Sequence, residues 1–139
     1  GALPDESGLD TGGILPAAAD GHMKLLYILG ADPVVRYHDP ALAQKALQRA
    51  ELTVVQELFL TETAKRADLV LPAASFAEKD GTFVNIEGRH QKIQAAINPP
   101  GEARPDWRIL ADLIARLGVP VPYFSARDIY REWQKKAAS

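Results

Sequence analysis

Hydrophobic residues in the first half of the chain gather in short unbroken runs instead of alternating with polar residues. Residues 24–29, 52–57 and 68–71 are three such runs, and each is bounded by polar residues, glycine or proline. Short apolar runs are typical of strands buried on both faces of a parallel sheet. We predict a small parallel sheet with the 24–29 run in its centre and the other two runs beside it.

Helical spacing separates the first two runs. Asp39 and Pro40 form a typical helix start, a capping side chain followed by a first-turn proline, and apolar residues recur at helical intervals from Ala43 to Ala50. Strand, helix and strand within about 30 residues indicate a right-handed βαβ unit. The predicted core positions of the neighbouring strands are Ile28, Val70 and Leu71.

The second half of the chain predicts a short helix, a hairpin and two further helices. Thr61-Glu62-Thr63-Ala64 is expected to start a helix, because hydroxyl side chains can accept bonds from free first-turn amides. Glu87-Gly88 is expected to form a two-residue turn between residues 82–86 and 89–93, with Gly88 at positive φ. A helix starting near Pro105 should end at Gly118. Ser125, with an acidic residue three positions later, resembles a capping box for the last helix.

Residues 1–20 are rich in glycine, proline, alanine and acidic residues and lack clear periodicity. They are predicted to be a loop or flexible segment, anchored at most by Ile14 and Leu15, while residues 21–139 are predicted to form one α/β domain. Because the chain starts with Gly1 and not with methionine, we expect it to be an excised part of a longer subunit.

Composition narrows the possible functions. The net charge of −2 gives no electrostatic reason to expect nucleic acid or an anionic membrane as a partner, and no apolar run approaches the ~18 residues of a membrane span. The absence of cysteine excludes disulfides and cysteine-held iron–sulfur clusters in this chain. The histidines are too scattered for a metal site, so we predict no metal ligands and no catalytic residues.

Residues 61–91 read TETAKRADLVLPAASFAEKDGTFVNIEGRHQ. An ETA segment, an ADxVLP segment and then E, GT, N, EGR and Q in this order resemble the molybdopterin oxidoreductase superfamily. That superfamily includes formate dehydrogenases, nitrate reductases and the large iron–sulfur subunit of bacterial NADH:quinone oxidoreductase. FVNIEGR and the upstream LLYILGADP are most similar to the last of these. The resemblance implies a Rossmann-like α/β fold, with helices on both faces of the sheet and a hairpin excursion.

This resemblance also implies a function. We expect a non-catalytic scaffold domain that supports electron transfer from NADH to quinone, on the cytoplasmic side of the bacterial inner membrane and without membrane insertion. Its partners would be the remaining domains of the parent subunit, which carry the iron–sulfur clusters, and other peripheral-arm subunits. The alternative is a cofactor-binding domain of a molybdopterin-guanine-dinucleotide oxidoreductase such as formate dehydrogenase.

The resemblance further points to a vestigial cofactor site. In the similar enzymes, the loop equivalent to Gly30-Ala31-Asp32-Pro33 has asparagine before proline and helps to hold the dinucleotide, whereas here an acidic side chain would repel a phosphate. That side chain could instead cap the following helix or pair with Arg36. Arg89 could bridge Glu78 or Glu87, or contact a dinucleotide or a neighbouring domain. The vestigial candidates are Gly30, Asp32, Glu78, Gly81, Thr82 and Arg89.

Overall fold

The computed structural model describes residues 7–137 and divides the chain into two compact units. The first unit ends at Leu71 and the second begins at Pro72. This division falls inside residues 21–139, which the sequence predicted as one domain. Both units are described separately below, as unit 1 and unit 2.

Unit 1 combines helices with a three-stranded sheet. In chain order its elements are α1 (Thr11–Ala19), β1 (Leu25–Leu29), α2 (Pro33–Arg36), α3 (Pro40–Arg49), β2 (Leu52–Glu57), a 3₁₀ helix (Ala64–Arg66) and β3 (Leu69–Pro72). β1 and β2 are parallel, with Leu25 opposite Leu52 and Leu29 opposite Gln56. A mixed α/β fold with a small parallel sheet is therefore confirmed.

The predicted strand order is wrong. The order in the sheet is β1-β2-β3, so the 52–57 run lies in the centre and the 24–29 run lies at an edge. Burial explains the difference, because residues 53–56 of β2 are all buried, whereas Leu25 and Leu29 at the ends of β1 are exposed. Both runs are apolar, so hydrophobicity alone did not distinguish the central strand from its neighbour.

The prediction that residues 1–20 form a loop or flexible segment is wrong where the structure describes them as α1; residues 1–6 lie outside the described part. The Asp10 carboxylate caps α1 by accepting a 2.9 Å hydrogen bond from the Gly13 amide. Leu15 is buried and Ile14 packs against the same core, as expected of anchors. The sequence did not predict α1, because Gly12, Gly13 and Pro16 all have low helix propensity.

The core of unit 1 lies where α1, α3 and β1 meet. The Asp39 carboxylate accepts a 3.0 Å hydrogen bond from the Leu42 amide, which confirms the predicted cap of α3. The buried residues that cluster there are Leu15, Ala18, Ala19, Leu26, Ala43 and Ala46. Small alanine side chains allow two helices to approach closely, which explains the packing of α1 on α3.

The three predicted core positions are not fully buried. Ile28, Val70 and Leu71 are each half-buried, whereas Leu26 and Val55 are fully buried. Side chains of a strand alternate between its two faces, so the residue two positions before Ile28 lies on the same face but deeper in the core. The prediction identified the strands and missed the depth of these residues within the unit.

Unit 2 contains a hairpin and two helices, namely β4 (Gly81–Val84), β5 (His90–Ile93), α4 (Asp106–Arg116) and α5 (Ala126–Ala137). β4 and β5 are antiparallel, with Gly81 opposite Ile93 and Val84 opposite His90. The predicted hairpin is therefore confirmed. Among the described residues, no helix is long and apolar enough to cross a bilayer.

The turn of the hairpin differs from the prediction. The Asn85 amide donates to the Arg89 carbonyl at 3.1 Å, which leaves three residues in the loop where two were predicted. The Asn85 side-chain oxygen accepts from the Glu87 and Arg89 amides at 3.0 and 2.8 Å. Gly88 has the predicted positive φ, at 75°, because it is the left-handed residue that closes a three-residue hairpin loop.

Both predicted helix ends of unit 2 are present. Gly118 has a φ of 84°, and the Val119 amide donates to the Ile114 carbonyl at 3.2 Å, as in a Schellman motif. The Asp128 carboxylate accepts from the Ser125 amide and hydroxyl, both at 2.9 Å, which confirms the reciprocal half of a capping box. The Ser125 hydroxyl is the main cause that lowers the pKa of Asp128.

Candidate functional site

The loop from Gly30 to Pro33 leaves the carboxyl end of β1, where open α/β sheets bind their ligands. Gly30 has a φ of 60°, and a Cβ atom placed there would meet no atom within 4 Å. The Gly30 amide donates to the Gln56 carbonyl at 2.9 Å, which fixes the start of the loop to the end of β2. Backbone at this position is therefore accessible to a ligand.

Asp32 takes neither of the two roles that the sequence left open. Its side chain makes no cap bond to α2, and no ion pair with Arg36 is present among the described residues. Its Oδ1 atom accepts hydrogen bonds from the Thr63 amide at 3.1 Å and from the Thr63 hydroxyl at 2.5 Å. The carboxylate is thus held by the segment that follows β2.

Thr63 connects the Asp32 carboxylate with the backbone of α2. Its side chain is fully buried, and its hydroxyl oxygen accepts a 3.1 Å hydrogen bond from the Val34 amide. The same hydroxyl donates a hydrogen bond to the Asp32 carboxylate. The sequence analysis assigned Thr63 only to a helix start. The cap is made instead by the neighbouring Thr61, whose hydroxyl accepts from the Ala64 amide at 3.2 Å. Nothing in the spacing of these residues distinguished the two threonines.

A cavity of about 360 Å³ lies beside this loop. Most of its wall is apolar, and its polar lining residues are Thr11, Tyr27, Asp32, Arg36 and Tyr37. Apolar walls with a few polar groups are typical of small-molecule sites. The remaining lining residues are Ile14, Leu15, Leu26, Ile28, Leu29, Ala31 and Pro33.

A second buried polar contact at this edge of the sheet was not predicted from the sequence. The Gln56 side chain is fully buried in β2, and its Oε1 atom accepts a 2.5 Å hydrogen bond from the Tyr27 hydroxyl. Buried polar side chains are normally hydrogen-bonded, and this contact links β1 to β2 near their carboxyl ends. A glutamine inside an apolar strand was the only signal that could have indicated it.

Glu62 lies next to Thr63 and carries an exposed ion-pair network. Its carboxylate accepts hydrogen bonds from the Lys65 ammonium at 2.7 Å and from the Arg66 guanidinium at 2.8 Å. The Arg66 bond, followed by Lys65, lowers the pKa of Glu62 to about 2. The group therefore stays ionised at neutral pH and is unsuited to accept a proton there.

The remaining four candidates belong to unit 2. Gly81 and Thr82 border a cavity of about 550 Å³, together with Lys92, Arg127 and Tyr130. This cavity lies beside the hairpin and the start of α5. The structure therefore brings two of these candidates together within unit 2.

Glu78 and Arg89 do not form the bridge that the sequence allowed. The Glu78 carboxylate accepts a 2.8 Å hydrogen bond from the Ser75 amide, and Arg89 lies 3.8 Å from the exposed Glu87 carboxylate. Exposed ion pairs of this length contribute little to stability. The Glu87 alternative is thus the one that the structure contains, and the cofactor roles of all six candidates remain predictions.

Comparison with known proteins identifies relatives. A family model described as "Molybdopterin oxidoreductase" matches residues 5–116. The chain is 50% identical over 116 residues to the F420-dependent formate dehydrogenase subunit alpha of Methanocaldococcus jannaschii, a match that covers 82% of this chain and 17% of the relative. It is 38% identical over 130 residues to a subunit of the NADH-quinone oxidoreductase of Rhizobium meliloti, covering 94% of this chain and 15% of the relative.

A solved structure is similar to this chain as well. Acetylene hydratase from Pelobacter acetylenicus matches with a TM-score of 0.74 and 26% identity, over 83% of this chain and 17% of that protein. Formate dehydrogenase H of Escherichia coli is 31% identical over 131 residues, which is 94% of this chain and 18% of the relative. The chain therefore spans about a fifth or less of the length of these relatives.

Proposed function

We propose a function from one premise: this chain belongs to the molybdopterin oxidoreductase family, whose model matches residues 5–116. Within that family, the chain is the dinucleotide-cofactor-binding part of an enzyme of the formate dehydrogenase type. Its unit 1 is a Rossmann-like module, and the cavity beside Gly30 takes part of a molybdopterin guanine dinucleotide. The observation that carries this proposal is an accessible glycine loop, beside a largely apolar cavity, at the carboxyl end of a parallel strand.

The choice of enzyme type rests on the relatives. The formate dehydrogenase alpha subunit is more similar to this chain than the NADH-quinone oxidoreductase subunit is. This ranking favours the formate dehydrogenase type, whereas the FVNIEGR and LLYILGADP segments had favoured the NADH:quinone oxidoreductase. Short motifs that two branches of a family share do not separate them, so the proposal rests on identity over the longer matches.

The residues around the cavity fit a nucleotide. Gly30 leaves open space where a side chain would stand, so a phosphate can approach the backbone. Arg36 supplies an exposed guanidinium, which suits phosphate oxygens, and the apolar residues of α1 and β1 suit the face of a base. Asp32 is the acidic residue of the lining, and its Oδ1 atom accepts two hydrogen bonds from Thr63.

When bound, the cofactor supplies the redox chemistry of the reaction. The residues of this chain have other tasks, which are binding and orientation. The residues that follow Gly30 form part of one wall, Arg36 offsets phosphate charge, and the Tyr27–Gln56 contact links β1 to β2. Among the described residues, no group of three or more potential ligands could hold a metal ion.

A second candidate keeps the original expectation. A scaffold domain of the large iron–sulfur subunit of NADH:quinone oxidoreductase is supported by the Rhizobium relative, whose match covers 94% of this chain. In that role the remaining domains of the subunit and neighbouring peripheral-arm subunits would be the partners. The two candidates differ in whether the cavity of unit 1 binds a guanine nucleotide.

A calorimetric titration of the chain with GDP separates them. The enzyme candidate predicts saturable binding at or below about 1 mM, which corresponds to about −4 kcal/mol. Arg36→Gln should weaken this binding at least fivefold, because it removes the cation of the cavity. Arg116→Gln, the matched loss of an exposed arginine in the last turn of α4, should leave it unchanged. No saturable binding at millimolar GDP would overturn the proposal and favour the scaffold.

A further inference from the structure

The threonine at position 63 is a buried polar residue to which the proposed function assigns no role. Its side chain is fully buried within unit 1. Its hydroxyl donates to the Asp32 carboxylate at 2.5 Å and accepts from the Val34 amide at 3.1 Å, and its amide donates to the same carboxylate at 3.1 Å. One residue therefore holds two positions of the segment that leaves β1.

These bonds complete a pair of anchors for the Gly30 loop. Its first residue donates its amide to the Gln56 carbonyl at 2.9 Å, at the end of β2. Its last part is held by Thr63, which lies in the segment that follows β2. Between the anchors, Ala31 and Pro33 form part of the cavity wall, and Arg36, three residues after Pro33, lines the same cavity. The position of this wall thus depends on both anchors.

We propose that Thr63 is a positioning residue for nucleotide binding: it fixes the Gly30–Pro33 loop, part of which forms a wall of the cavity. This inference rests on the proposed function, because it concerns the same cavity. It goes further by assigning the geometry of this loop to a residue that contacts the loop and not the ligand.

The test uses three substitutions in the 139-residue chain. Thr63→Val keeps the shape of the side chain and removes the hydroxyl, while Thr63→Ser keeps the hydroxyl. Thr53→Val is the matched control, because Thr53 is also fully buried in unit 1 but its hydroxyl donates, at 3.4 Å, only to the Leu47 carbonyl. The two readouts are hydrogen exchange of the Val34 amide by NMR and the affinity for GDP.

The proposed positioning role of Thr63 predicts a specific pattern. Thr63→Val should accelerate exchange of the Val34 amide at least tenfold and weaken GDP binding at least fivefold. Thr63→Ser should stay within about threefold of the wild type in both readouts, since it can make the same bonds. Thr53→Val should lower the protection of amides throughout unit 1 without a selective effect on Val34.

Several results would overturn the inference. Unchanged Val34 exchange in Thr63→Val would show that the hydroxyl does not hold the loop, and unchanged GDP affinity would show that the loop does not position the ligand. Equal effects of Thr53→Val and Thr63→Val would indicate general destabilisation. Weak protection of the Val34 amide in a folded Thr63→Ser variant would also contradict the positioning role of Thr63.

The outcomes distinguish this inference from the proposed function. If the wild type binds no GDP, the proposed function fails, and the nucleotide role of Thr63 fails with it. If the wild type binds GDP and Thr63→Val binds it equally well, only the present inference fails. Circular dichroism of each variant checks folding, and Thr63→Ser remains informative even if Thr63→Val does not fold.

Discussion

Unit 1 and unit 2 differ in how far they bury their apolar residues. In unit 1, two helices and a strand enclose a cluster that includes Leu15 and Leu26. In unit 2, the buried hydrophobic residues among those described are Ala73, Ala74, Ile109 and Ala111. Three of these four are alanines, which bury little area, so unit 2 has a much thinner core than unit 1.

The helices show the same difference. α3 buries the apolar face that its sequence predicts, whereas α4 leaves Leu113, Ile114 and Leu117 exposed along most of its own. An apolar helical face is normally covered by protein, and larger exposed patches mark interaction surfaces. We propose that the exposed apolar face of α4 contacts other domains of a parent subunit or other subunits.

The largest expected effect follows from the core of unit 1. Leu26 is 5% exposed and Leu117 is 74% exposed, so the same substitution should have very different results. Leu26→Ala should lower the free energy of unfolding by about 2–5 kcal/mol, because it leaves a cavity. Leu117→Ala should change it by less than about 0.5 kcal/mol, as exposed substitutions do.

Each unit has its own probe for this measurement. Both tryptophans of the chain, Trp107 and Trp133, lie in unit 2, so fluorescence during denaturation reports that unit. Hydrogen exchange of the β2 amides reports unit 1. A large loss of stability in Leu117→Ala would show that unit 2 buries its α4 face, and an unchanged β2 in Leu26→Ala would contradict the core described here.

The sequence predicted local structure better than it predicted depth. The caps at Asp39 and Ser125 and the helix end at Gly118 depend on a few neighbouring residues, and all three are confirmed. The central strand and the depth of Ile28 depend on which elements pack together. Hydrophobicity gave no information on that choice, because all three strand segments are apolar.

The candidate site divides in a similar way. Gly30 was identified because a glycine after a strand has a specific backbone role. The engagement of Asp32 by Thr63 was missed, since 31 residues separate the partners. Long-range side-chain bonds of this kind require the fold, and local spacing contains no trace of them. α1 was missed for another reason, because tertiary packing outweighs the low helix propensity of its glycines and proline.

A smaller effect is expected at the hairpin of unit 2. Gly88 has a φ of 75°, and a Cβ atom there would meet nothing within 4 Å, so only the backbone opposes a side chain. Gly88→Val should destabilise unit 2 by about 1–3 kcal/mol, the usual cost of a non-glycine residue held in this region. Tryptophan fluorescence during denaturation measures the change.

Two controls sharpen this prediction. Gly88→Asn should cost less than Gly88→Val, because asparagine adopts positive φ more readily than β-branched residues. Glu87→Asn should be tolerated, since the exposed Glu87 contributes its backbone amide to the turn and only a 3.8 Å ion pair through its side chain. Equal denaturation midpoints for the valine and asparagine variants would show that backbone conformation does not decide stability here.

The smallest expected effect concerns the pH dependence of unit 1. The pKa of Glu62 is lowered to about 2 from its usual value of 4.5, first by the hydrogen bond from Arg66 and then by Lys65. A carboxyl group whose pKa is lower in the folded state stabilises that state above its unfolded pKa, and this contribution disappears as the pH falls from about 4.5 to 2. All three side chains are partly exposed, so solvent and salt screen the gain and keep it small.

Between pH 4.5 and pH 2, the stability of Glu62→Gln should therefore decline less than the stability of the wild type. Exchange of the β2 amides at low salt measures this difference. High salt should reduce the difference between the two proteins, because the ion pairs are screened. Parallel pH profiles for both proteins at low salt would show that the network seen around Glu62 does not stabilise the folded unit.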